Sequence, residues 1–260
     1  MNLRTSVILL TLMLISATRS VAAEHDGKLK VLIVTGGHGF EKETFFQVFE
    51  QNPEIKFTHA EHGRSNATVY DRADLLDQDV VVLYDMPQSI TDAQKEKFLR
   101  LFDKGIGLVV LHHAIASYQQ WPEYERIIGG RYPEPDSSKP GTVTEQVGWR
   151  HDVDVPVVIV TKDHPITAGL KDFTIRDEIY WGLRVQPDVT PLITTTHPKS
   201  SKPLAWARTE RKSRVVYLQL GHGPSAFNDA NYRRLVTQSI RWVAEKPPSA
   251  TGESPGSKAN

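Results

Sequence analysis

Short apolar, β-branched runs recur along the chain, separated by stretches with helical spacing. Residues 30–35 (KVLIVT) stop at Gly36-Gly37, and a continuous apolar run bounded by turn residues predicts a buried strand. Over 41–49, Phe45, Phe46 and Phe49 share one helical face until Asn52-Pro53 ends the pattern. Further strands are predicted at 55–59 and at 79–84 (DVVVLY). Thr91 is a good N-cap for a helix over 92–104, with Phe98, Leu101 and Phe102 facing a sheet and Gly105 closing it. Residues 107–112 (GLVVLH) form the next strand and 121–128 the next helix. Strand and helix alternating in this way indicate an α/β, doubly wound, mainly parallel sheet in three layers.

The middle of the chain is less regular. Residues 131–148 are rich in Pro, Ser and Gly and read as an inserted loop or flap. Residues 152–161 (DVDVPVVIVT) alternate and then run apolar, and Pro156 inside them predicts an edge strand. Strands at 191–195 and 215–220 precede a last helix at 231–243, whose Leu235, Ile240 and Trp242 form an inner face. From Lys246 the composition turns to Pro, Ser, Gly and Lys, so 247–260 is expected to be a disordered tail.

The first residues follow the layout of a secretory signal: Arg4, an apolar core at 7–15, and small residues at Val21 and Ala23. A signal peptide over 1–23 is therefore expected. Cleavage near Ala23 would give an exported, periplasmic or extracellular protein with no stable membrane anchor. Formal charge is zero, with 31 basic and 31 acidic residues, and no basic run stands out. That argues against nucleic acid as a partner. The cysteine count is 0, which excludes disulfides, thiolate metal sites and thiol catalysis.

The candidate chemistry lies in histidines at strand ends. His38 follows the first strand in GGHG, His112 and His113 end the fourth, and His222 follows the last in GHG. The carboxyl ends of strands in a doubly wound sheet open into one crevice, so three distant segments are expected to converge there. Imidazole is both the commonest metal ligand and the natural acid/base near neutral pH. Three His with a carboxylate suit zinc or a similar ion. Asp177 and Glu178, beside Tyr180 and Trp181, supply acids next to aromatic faces of the kind that hold sugar rings. His112 and His113 are adjacent, so on an extended strand only one of them enters the site. His25, His59, His62 and His197 read as surface or loop residues, and His164 as the cap of a turn. The G-x-G-x-x-G spacing, the P-loop and the G-x-S-x-G elbow are all missing, so no NAD, no nucleotide and no serine nucleophile are expected.

Several stretches together resemble the ThuA-like (trehalose utilisation) domain, of the class I glutamine amidotransferase-like, flavodoxin-like fold. They are VLIVTGGHGFE at 31–41, GLVVLHHA at 107–114, DHPITAGL at 163–170, DEIYWG at 177–182, PLAWAR at 203–208 and RVVYLQLGHG at 214–223. The resemblance runs from Leu29 to Glu245 and implies one domain over 27–246. In true amidotransferases a cysteine occupies the turn where this chain has His112, and an acid follows the catalytic histidine where this chain has Pro224. Amide hydrolysis is accordingly not implied.

What the resemblance does imply is sugar utilisation, on 3-keto glycosides made by a partner sugar oxidoreductase. A divalent ion (zinc, manganese or nickel) would assist enolisation leading to epimerisation, elimination or hydrolysis. The expected ligands are His38, His112, His222 and Glu178, with His112, His222 and Glu178 also catalytic. His113, Asp177, Tyr180 and Trp181 would bind a small carbohydrate. A homo-oligomer is compatible with this picture. The alternative reading is a non-catalytic sugar-binding or accessory module on the same scaffold.

Overall fold

The computed structural model describes residues 27–134 and 144–247. The expected signal peptide, the centre of the 131–148 loop and nearly all of the tail lie outside the described residues. No described helix is long and apolar enough to cross a membrane.

Nine strands form one sheet in the order β2-β1-β3-β4-β11-β10-β9-β6-β7. They are β1 (Leu29–Gly36), β2 (Ile55–Glu61), β3 (Val80–Asp85), β4 (Gly107–Leu111), β6 (Gly148–Ile159), β7 (Phe173–Trp181), β9 (Thr190–Thr195), β10 (Ala205–Glu210) and β11 (Ser213–Leu218). Two short strands, β5 (Gly130–Arg131) and β8 (Arg184–Val185), pair separately. Neighbours from β2 to β11 are parallel, and every later pair is antiparallel. Within the sheet only β10 and β6 therefore oppose the common direction. The carboxyl ends of β1, β4, β7 and β11 lie along the same edge as the amino end of β6.

Helices α1 (Lys42–Glu50), α4 (Pro224–Phe227) and α5 (Ala230–Ala244) cover one face of the sheet, while α2 (Asp92–Lys104) and α3 (Pro122–Ile128) cover the other. Strand alternation sends Val31, Ile33, Val80 and Val82 to the first layer and Leu32, Val34, Val81 and Leu83 to the second. This is why the central strands are apolar throughout. The cap of α2 forms as the sequence predicts. Thr91 Oγ1 accepts from the Gln94 amide at 3.3 Å, Gln94 Oε1 accepts from the Thr91 amide at 3.1 Å, and Gly105 closes the helix in the left-handed conformation.

Two expectations need correction, and two strands are additional. The strand holding Pro156 is not at the edge, because β6 lies between β9 and β7. The proline is accommodated because β6 pairs with β9 only from Val157 to Ile159, so Pro156 meets a neighbour on one side only. Strands β7 and β10 were not anticipated. The last strand stops at Leu218 rather than at residue 220.

Candidate functional site

The site begins at the end of β4. His112 leaves the strand with φ 50 and opens a 3-10 turn over His112–Ala116. Left-handed backbone at a non-glycine residue is uncommon and needs support from its surroundings. Here the Tyr217 hydroxyl donates to the His112 carbonyl at 3.2 Å, and His112 Nδ1 lies 2.6 Å from the Gln219 carbonyl. A carbonyl only accepts, so Nδ1 carries the hydrogen and Nε2 faces the cavity.

Around Nε2 stand Glu178 Oε2 at 2.8 Å, the Tyr180 hydroxyl at 2.9 Å and His222 Nδ1 at 3.3 Å. His222 Nδ1 is itself 2.9 Å from Glu178 Oε2. The other carboxylate oxygen, Oε1, is 3.3 Å from His151 Nε2. Glu178 and Tyr180 share one face of β7, as i and i+2 must. His222 is placed by Asp177, whose carboxylate accepts from the amides of Gly221 (2.7 Å), His222 (2.9 Å) and Glu178 (2.8 Å). Gly221 has φ +113, and a Cβ there would lie 2.4 Å from the Tyr232 hydroxyl, so the turn requires glycine.

The electrostatics follow from burial and proximity. Burial alone would lower the basicity of His112, but the hydrogen bond and charge of Glu178 reverse this and raise it. Glu178 is buried, which opposes ionisation, yet the two histidines hold its carboxyl well below the usual range. Burial pushes Asp177 up against the pull of His112 and the three amides. It also raises the Tyr180 hydroxyl, which therefore stays protonated. His113 is pushed well down by burial, then by His112 and His38.

His112, Glu178, Tyr180, His222 and His151 line a cavity of about 270 Å³ together with His38, His113, Tyr132 and Trp149. The ligand atoms of His112, Glu178 and His222 all lie within 4.8 Å of one another, the one such group among the described residues. With Nδ1 of His112 committed to a carbonyl, the lone pairs of two imidazoles and a carboxylate face one another. They repel unless positive charge sits between them, either a proton or a metal ion. The donor set therefore fits a divalent cation, and the Gln219 carbonyl is the kind of outer partner that orients a ligating histidine.

The model of one protein family, described as trehalose utilisation (ThuA), matches residues 30–243. The chain belongs to the ThuA family. Among solved structures, this ThuA chain is similar to a ThuA-like protein from Parabacteroides merdae, with TM-score 0.70 and 18% identity, covering 84% of this chain and 90% of that one. A ThuA-like protein from Bacteroides uniformis gives TM-score 0.53 and 20% identity over 83% and 91%. PurLQS from Thermotoga maritima gives TM-score 0.50 and 13% identity over 83% and 99%. The fold is thus glutamine amidotransferase-like. Comparison with curated proteins finds no matching relative.

Within this ThuA fold the expected site residues meet only in part. His112, Glu178 and His222 form the floor, and Tyr180 lines it. His38 lines the same cavity but lies outside the cation-sized group. It stacks on His113 with ring centroids 4.5 Å apart. Its loop is held elsewhere: a Cβ on Gly36 would fall 1.8 Å from the His62 carbonyl. His112 and His113 both enter the cavity, because the strand has ended and alternation no longer applies. Asp177 serves the turn rather than a ligand. Trp181 points to the other face of β7 and does not line the cavity; its indole donates to the Thr144 carbonyl at 3.0 Å. His62 is buried rather than on the surface, 2.6 Å from Asp85. His164 does cap its turn, accepting from the Ile166 amide at 3.2 Å.

His151 was missed. It sits near the start of β6, stacked on Trp149 at 4.5 Å and 4.1 Å from the ring of His222. A bulge between Arg150 and Val153, with Asp152 at φ 57, turns this stretch toward the site. Trp149 and His151 at i and i+2 were the available signal, hidden by starting the strand at residue 152.

Proposed function

We propose that this ThuA-family chain is a carbohydrate enzyme that removes the acidic proton of an oxidised, 3-keto glycoside. A divalent cation held by His112, Glu178 and His222 would assist it. The observation that carries the reading is the convergence of those three ligand atoms within 4.8 Å on the floor of a ligand-sized cavity. A cation held there would act as a Lewis acid on a substrate carbonyl oxygen.

The remaining roles fall to the chain's own side chains. Among the described residues His38 forms no ion pair, and burial, then the nearby His112, keeps its basicity below the ordinary value against the charge of Glu178, so its imidazole is neutral at pH 7 and can accept a proton. It takes the hydrogen from the carbon beside the ketone, and the C–H electron pair becomes the enolate double bond. Return of a proton to the opposite face gives the epimer. Alternatively the pair expels the glycosidic oxygen, which collects a proton as it leaves. The imidazolium of His38, formed in the first step, can return its proton there, while Tyr180, held protonated, serves as a hydrogen-bond donor. His113 is buried, and among the described residues neither ring nitrogen makes a well-formed hydrogen bond, so it is suited to a sugar hydroxyl. Trp149 and Tyr132 give the cavity aromatic walls.

The test is NMR in D2O with a panel of 3-keto-glycosides, alongside elemental analysis. Exchange of the proton next to the ketone, lost in His38→Ala, is expected. So is stoichiometric zinc, manganese or nickel that disappears in Glu178→Gln and His222→Ala. Metal-free protein with no exchange would sink the reading; a melting shift with saccharides alone would leave a sugar-binding module without catalysis.

A further inference from the structure

The cavity does not end at its own walls. Arg64 and Glu134, on its rim, also line a second groove of about 440 Å³. The other described residues of that groove are Gln88, Gln119 and Gln120 with Ser65 and Ser89, so among the described residues no apolar side chain lines it. Two of its amides are fixed in place. Gln119 Nε2 donates to the Ala116 and Tyr132 carbonyls, both at 2.9 Å, and its Oε1 accepts from the Glu134 amide at 3.3 Å. Gln88 Nε2 donates to the Ala116 carbonyl at 3.0 Å and to the Met86 carbonyl at 3.4 Å, and both of those residues line the first cavity. With its donors committed, Gln88 cannot flip, and its Oε1 accepts from no described residue. It is a preset acceptor standing beside the entrance. Arg64 uses one nitrogen to hold the Gly37 carbonyl at 3.4 Å, which ties the rim to the His38 loop.

The Gln88 carbonyl oxygen, the Gln120 amide, two serine hydroxyls and one rim charge of each sign offer both donors and acceptors. Such a lining does not select an anion, and its polar tips stand on exposed aliphatic stems, a mixture of polar groups and apolar patches. It matches a neutral, hydroxyl-rich ring. We propose that this groove is a second subsite, which holds the sugar ring on the far side of the glycosidic bond while the oxidised ring occupies the histidine cavity. The inference rests on the carbohydrate reading above and deepens it: the substrate is a glycoside of at least two rings, and Gln88 and Arg64 determine specificity rather than perform the chemistry.

The experiment compares two probes on the full chain, the 3-keto derivatives of methyl glucoside (one ring) and of trehalose (two rings), by calorimetric binding and by proton exchange. Gln88→Ala is expected to weaken the two-ring probe about two- to tenfold, the range of one hydrogen bond, and to leave the one-ring probe unchanged. Because Gln88 also braces two carbonyls, Ser89→Trp, at an exposed position, provides a second variant that fills the groove without touching that brace. It should exclude the two-ring probe while exchange on the one-ring probe keeps its rate. If both variants treat the two probes alike, the subsite is wrong and the carbohydrate reading stands. If the unmodified chain binds neither probe, both fall together.

Discussion

His112 combines an unusual backbone with an unusual charge. Its left-handed φ aims the ring inward, and Glu178 makes that ring more basic than burial alone would allow. Asp177 is its counterpart on β7, spending its carboxylate on the 221–222 turn. Asp177→Asn can keep the shape but not all three amide bonds, so His222 should lose its position. A ten- to hundredfold loss of cation affinity is expected by metal titration, the usual size for a change behind a ligand (about that range). His164 gives a pH prediction away from the site. Burial, then the charge of Arg214, lowers its basicity, so it stays neutral when folded and charges more readily when unfolded. The unfolded chain then binds more protons, and stability should decline as pH falls below about 6.5. Urea melts at pH 7.5 and 5.5 should show this, and His164→Asn, which cannot titrate, should shallow the decline. Histidines flanked by glycine after strands were legible as site residues because the strands announced themselves. His62 was not, since its burial depends on Asp85, a partner 23 positions away.

Strands β1, β3 and β4 and helix α2 could be read because both faces of the strands are buried and the helix carries its own stop and start signals. Removing the start signal with Thr91→Ala should cost about 1 kcal/mol in chemical denaturation, a typical cap value. Deleting a side chain from the face it orients, with Phe98→Ala, should cost about 3–5 kcal/mol, because that ring is fully buried. Strands β7 and β10 escaped for the opposite reason. FTIRDEIYW and AWARTE mix charged and apolar residues, and they extend because of their pairing, β10 between β11 and β9 and β7 at the sheet edge along β6. In β7 the two buried acids, Asp177 and Glu178, are the ones at the candidate site. A pattern that looks like a weak strand is what an acid-bearing strand at a site must look like. The same holds for β6, whose bulge delivers His151 from an opposing strand, a delivery that the strand-end rule for parallel sheets does not cover.

The order of the sheet was only half legible. Alternation of strand and helix predicts the parallel half, whereas the antiparallel extension from β10 to β7 rests on long-range register. Because ligand atoms come from residues 112, 178 and 222, the site exists only when both halves are assembled. Added zinc or manganese at a hundredfold excess over its dissociation constant should therefore stabilise the whole domain by about 2.7 kcal/mol, reversibly with chelator. A thermal shift that persists unchanged in Glu178→Gln would show the ion acting elsewhere.

The backbone at residue 112 has one more consequence. An elbow that presents a side chain to an imidazole and a carboxylate is also a seat for a nucleophile, and here His222 and Glu178 already surround it. His112→Cys would set a thiol against a ready-made base in a chain with no other sulfhydryl. Alkylation by iodoacetamide would then report on that one position, and it should run faster than for an ordinary exposed thiol at neutral pH. Two chemistries that look unrelated by sequence would in that case be separated by a single side chain on a shared hinge of backbone.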